Sequence, residues 1–92
     1  MSIVVRFTPA GLTAEQYDTT IRLLEERGAL PADGLDYHVC FGAADNLLVS
    51  EIWDSQEQFE AFGATLMPIL QETGVQFSGP PTPFEVHNVM KR

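Results

Sequence analysis

Leu47-Leu48-Val49-Ser50-Glu51-Ile52-Trp53-Asp54-Ser55-Gln56-Glu57-Gln58-Phe59 carries two different signals joined in the middle. Leu47 to Trp53 is rich in apolar and β-branched side chains and reads as a strand. At Asp54 and Ser55 the chemistry changes to helix-capping residues, with Glu57 and Gln58 at the matching positions three residues on. Phe59, Phe62, Leu66, Ile69 and Leu70 then recur at helical spacing and form one apolar stripe. Pro68 lacks an N–H and crowds the preceding turn, which predicts a kink or break there. Gly74 predicts the helix end, because glycine accepts the left-handed conformation at little cost.

Upstream, Leu35, Tyr37, Val39 and Phe41 alternate with Asp36, His38 and Cys40, a second strand. The turn-like Gly42–Asn46 makes it an antiparallel hairpin with Leu47–Trp53. Earlier still, Ile3, Val5 and Phe7 alternate with Val4, Arg6 and Thr8, another strand. Thr13 with Gln16 is a capping-box pattern, followed by a stripe of Tyr17, Ile21 and Leu24 up to Gly28. After a proline-rich loop, Phe84, Val86, Asn88 and Met90 alternate with Glu85, His87 and Val89 as a fourth strand.

The order is β-α-β-β-α-β, an α+β arrangement over residues 1–92 as a single domain. It predicts a four-stranded antiparallel sheet in the order 4-1-3-2, with both helices on one face. No segment remains to cover the other face. A chain of 92 residues builds a small core, yet 45% of its residues are apolar. A homodimer through the open sheet face accounts for both.

The formal net charge is −8, and the basic residues Arg6, Arg22, Arg27, Lys91 and Arg92 form no cluster. Such a surface excludes nucleic acid and anionic membranes as expected partners. The lone Cys40 rules out an internal disulfide. The start lacks the signature of a signal peptide, and no apolar run reaches the roughly 20 residues of a membrane span. The cytoplasm is the default expectation.

Glu51-Ile52-Trp53-Asp54-Ser55, followed by Glu57, Phe59 and Phe62, resembles the strand-to-helix junction of the ferredoxin-like dimeric α/β-barrel superfamily. It is most similar to the antibiotic-biosynthesis-monooxygenase-like branch. Met67-Pro68 to Gly74 and Val86-His87-Asn88 resemble an uncharacterised bacterial subgroup of small proteins with this fold. The resemblance implies a dimeric α/β barrel. It does not choose a reaction, because the superfamily holds cofactor-free oxygenases, haem-degrading enzymes, lactone isomerases, haem peroxidases and sensing modules. The haem-degrading branch relies on a helix histidine; neither helix here carries one, and many relatives have histidine where Phe62 stands.

His38 and His87 are the only histidines and the candidate acid–base residues. The bland reading of each is a rim or interface histidine. Arg6 is a candidate partner for a substrate carboxylate or enolate, or else half of a structural ion pair with Glu51 on a neighbouring strand. Tyr37, Trp53, Phe59, Phe62 and Met67 are the candidate walls of an apolar pocket, or simply core. His38 is expected nearer to a ligand than His87, with Asp36 on its strand face to orient it. Cys40 reads as a small hydrophobe. No phosphate loop, nucleophile elbow or metal spacing is present, so no cofactor or metal is implied.

Two classes of function remain open. One is a cofactor-independent monooxygenase- or isomerase-like enzyme on a small aromatic or polyketide-like substrate. The other is a non-catalytic ligand-binding or purely structural homodimeric module.

Overall fold

The computed structural model describes residues 2–92. Thr13 caps the first helix as expected: its hydroxyl accepts from the Gln16 N–H, and the Gln16 side chain accepts from the Thr13 N–H. Ser55 caps the second by accepting from the Gln58 N–H, while its hydroxyl donates to the Gln58 side-chain oxygen, and Gly74 closes the helix in the left-handed conformation, φ 75°. The elements are β1 (Ile3–Phe7), α1 (Ala14–Glu26), β2 (Leu35–Ala43), β3 (Asn46–Trp53), α2 (Gln56–Thr73) and β4 (Thr82–Glu85). The antiparallel sheet runs β2-β3-β1-β4, the predicted order.

Two expectations change. α2 continues through Pro68. Pro68 and Ala64, whose carbonyl loses its donor, are both exposed, so water can serve that carbonyl. β4 is shorter and earlier than predicted and ends at Glu85, so His87 and Asn88 lie beyond it. Pro83 is tolerated within β4 because this is an edge strand, where a missing N–H leaves no ladder bond broken on the solvent side.

The helix-facing side of the sheet carries Ile3, Val5 and Phe7 from β1, and Val49, Glu51 and Trp53 from β3. Trp53 and Val5 are fully buried. Phe59 and Phe62 of α2 pack on Trp53, with ring centroids at 5.8 and 5.3 Å. α1 and α2 are tied by the Thr20–Thr73 hydroxyl bond at 3.1 Å and by a bidentate Arg27–Glu72 pair at the surface.

The register shifts between Leu35 and Tyr37. Successive strand residues face opposite ways, so one extra residue reverses every side chain beyond it. Leu35 sits opposite Trp53 on the helix side. Beyond the shift, His38 and Cys40 sit opposite Glu51 and Val49 on that same side, while Tyr37, Val39 and Phe41 face outward with Ile52, Ser50 and Leu48. Val4, paired with Phe84, and Arg6, paired with Thr82, share the outward face.

Candidate functional site

Between the helix side of the sheet and the two helices lies a cavity of about 350 Å³. Its walls are aliphatic and aromatic: Leu12, Ile21 and Leu24 from one side, Phe62, Leu66 and Leu70 from α2. The segment after α2 closes one end. Ser78 donates its N–H to the Thr8 carbonyl, and Pro9 and Phe77 form a bridge, so Val75 and Phe77 also reach the cavity.

Polar groups enter at few points, and three of them form a chain. His38 Nδ1 lies 2.6 Å from Glu51 Oε2, and His38 Nε2 lies 2.7 Å from Tyr17 Oη. The indole Nε1–H of Trp53 donates to Glu51 Oε1 at 3.0 Å. Glu51 thus accepts one donor on each oxygen, which places the His38 proton on Nδ1 and leaves Nε2 to accept from the Tyr17 hydroxyl. Each member is set by its backbone. Glu51 and Trp53 are two apart on β3 and share a face; His38 is directly opposite Glu51; Tyr17 stands one turn into α1 with its ring stacked on His38, centroids 5.9 Å apart.

The Glu51 side chain is only 6% exposed and that of His38 26%. No buried side-chain polar atom among the described residues lacks a partner. The Tyr17 hydroxyl is pushed up to about 12, first by burial and then by the acidic neighbours Cys40, Glu51 and Asp18. Burial and Asp18 likewise push the Cys40 thiol up. The arrangement can hold a neutral imidazole in one tautomer and pass a proton between a cavity-facing phenol and that imidazole, with the carboxylate behind it.

Of the residues singled out from sequence, His38 and Phe62 reach the cavity. The others stand elsewhere. His87 is exposed beyond β4. Arg6 is exposed on the outward sheet face opposite Ser50, so it neither approaches the cavity nor pairs with Glu51, which faces the helices. Tyr37 is 52% exposed on the outward face, turned there by the register shift. Trp53 is buried in the core and does not line the cavity; it meets the lining residues through its bond to Glu51 and its packing on Phe62. Phe59 packs between Phe7 and Trp53. Met67 is 53% exposed on α2. Asp36 does not orient His38; it pairs with Lys91 at 2.7 Å. No group of three or more His, Cys, Asp or Glu suited to a metal ion occurs among the described residues.

Tyr17 and Glu51 were not recognised as site residues from sequence. The signal for Glu51 was its parity: it shares a strand face with Trp53, a natural core residue. Tyr17 heads the apolar stripe of α1, where a phenol needs a partner for its hydroxyl.

No family model matches the chain, and no curated protein matches it. Solved structures do. SnoaB, a cofactor-independent oxygenase from Streptomyces nogalater, aligns with a TM-score of 0.62 at 16% identity, over 99% of this chain and 96% of its own. A structure from Chloroflexus aurantiacus, named for antibiotic biosynthesis monooxygenases, aligns at 0.61 and 18%, over 98% and 95%. A Streptomyces coelicolor monooxygenase solved with nanaomycin D aligns at 0.50 and 16%, over 99% and 91%. At such identities the likeness is one of fold: this chain has the ferredoxin-like architecture of the antibiotic-biosynthesis-monooxygenase structures. No helix among the described residues is long and apolar enough to cross a membrane.

Proposed function

We propose that this chain binds a small aromatic or polyketide-like molecule in the cavity and acts on it as a cofactor-independent monooxygenase or isomerase. The observation that carries the reading is His38, held between Tyr17 and Glu51 at the wall of an otherwise apolar cavity. Cavities of roughly 300–1,000 Å³ with a few convergent polar groups are typical small-molecule sites. The fold shared with SnoaB supports the same class.

The chemistry begins with an acidic C–H beside a carbonyl. Tyr17 Oη takes the proton as its own proton passes to His38 Nε2, and the imidazolium formed is stabilised by Glu51. The net charge of the cavity is unchanged by the transfer. Return of the proton at another carbon is isomerisation. With dioxygen as co-reactant, a CH₂ group and O₂ give a carbonyl and water, which balances without a cofactor.

A specific observation favours a second reading. Both ring nitrogens of His38 are already engaged, which is also how a purely structural histidine is satisfied. The test is deuterium exchange into β-tetralone, an enolisable aromatic ketone, followed by NMR. We expect exchange faster than in buffer and lost in His38→Ala. Binding of the ketone with exchange at the buffer rate leaves non-catalytic ligand binding standing.

The partner is a second copy of the chain, seated on the outward sheet face. Tyr37, Phe41, Leu48 and Phe84 stand exposed on that face beside Val4, Val39 and Ile52. Contiguous apolar surface of this kind usually marks an interface.

A further inference from the structure

We infer that the cavity selects uncharged, hydrogen-bond-donating aromatics and rejects carboxylates; this narrows the substrate class of the reading above and rests on it. Every lysine and arginine side chain is held away. Arg6 lies on the outward sheet face, Arg22 pairs with Glu26, Arg27 with Glu72 and Lys91 with Asp36, and Arg92 is at the exposed end. The charged side chain at the cavity wall is a carboxylate, Glu51, and both its oxygens are occupied by His38 and Trp53.

An entering anion therefore meets a like charge with no lysine or arginine to offset it, and the one imidazole at the wall is already engaged by Glu51 and Tyr17. It also exchanges water for walls of leucine and phenylalanine. Both effects act against the charged form. Tyr17 Oη spends its proton on His38 Nε2, so what it offers a ligand is an acceptor lone pair. A phenolic O–H or an amide N–H suits that atom and a carboxylate does not. The Tyr17 hydroxyl is pushed up first by burial and then by Cys40, Glu51 and Asp18, in keeping with a dry wall flanked by acidic groups.

The test uses three probes of one shape: β-naphthol, β-naphthamide and β-naphthoate. Binding is measured by titration calorimetry near neutral pH, with the methyl NMR shifts of Ile21 and Val49 reporting occupancy of the cavity. We expect naphthol and naphthamide to bind at least about tenfold tighter than naphthoate. Glu51→Gln, which keeps an acceptor for Trp53 and removes the charge, should narrow that ratio. If Glu51→Gln does not fold, the naphthamide-to-naphthoate ratio in the native protein decides alone, because the two differ in charge and little in shape. Equal or tighter binding of naphthoate overturns the inference, as does failure of all three to move the Ile21 and Val49 methyls. Selective binding of the neutral probes with no exchange into β-tetralone upholds the inference and removes the catalytic reading.

Discussion

His38 and Glu51 face each other directly across β2 and β3, Nδ1 to Oε2 at 2.6 Å, with the carboxylate buried between the imidazole and the Trp53 indole. Removing the carboxylate strands the fully buried indole N–H. Glu51→Ala should therefore cost at least about 1–3 kcal/mol, the penalty of one orphaned buried donor. Glu51→Gln should cost less, since its amide oxygen still accepts. Urea denaturation midpoints with unchanged slopes check both; equal stability in Glu51→Ala would falsify the role of this bond.

Tyr17→Phe separates chemistry from stability. The ring stays stacked on His38, and the lost hydroxyl frees Nε2 of an imidazole whose side chain is part-exposed and open to water as a substitute partner. We expect a stability change within about 1 kcal/mol. Deuterium exchange into β-tetralone should fall by about 10²-fold or more if the phenol relays the proton. Loss of stability without loss of exchange contradicts the relay.

The same phenol predicts how stability responds to alkali. Its pKa in the folded chain is raised from 10.0 to about 12, so the native state keeps a proton that the unfolded chain has lost. This contribution is fully present below pH 10 and is lost as pH rises toward 12. In Tyr37→Phe protein, where Tyr17 is the remaining tyrosine, tyrosinate absorbance should appear late, and denaturant stability should decline over that window. Tyrosinate forming at the ordinary pH of a free phenol contradicts the burial of this hydroxyl.

Phe62 and Trp53 touch, yet their truncations should differ. A fully buried aromatic reduced to alanine costs about 3–5 kcal/mol, and Trp53 is fully buried. Phe62 is half-buried and lines the cavity, so Phe62→Ala should cost less than that and enlarge the cavity. Paired denaturation curves, with β-naphthol affinity as the second readout, check the contrast. Equal losses for the two would place Phe62 in the core.

The outward face carries the prediction about assembly. The native chain should show a dimer's mass by light scattering at micromolar concentration, with an interface above about 1,000 Å² in total. Phe41→Glu places a charge beside Leu48 and Val39 on the apolar face and should give a folded monomer. A monomer's mass for the native chain contradicts the dimer.

The fold was legible because capping residues, glycines and apolar periods agreed: Thr13 with Gln16, Ser55 with Gln58, Gly74, and the alternation in β1. The site was only partly legible. Along β2 the alternation of Leu35, Tyr37, Val39 and Phe41 looks like one face, but the register shift places Leu35 inside and the other three outside. Alternation cannot expose such a shift when both sheet faces are apolar and the inner one carries the polar pair. Arg6 and Glu51 looked like partners because their strands are neighbours. Val5 is the residue opposite Glu51, and Arg6 therefore faces the other way. β4 ends at Glu85 although the alternation runs on: Val86 still donates its N–H to the Ser2 carbonyl, and His87 to Met90 alternate in sequence outside any strand.

Trp53 is the only tryptophan in the chain, and its indole is bonded to the carboxylate that holds His38. Nature has thereby wired a fluorophore to the site. Its emission should respond to anything that disturbs the hydrogen bonds reaching back to Tyr17, so ligand entry and proton movement can be followed by light, in stopped flow and without a label.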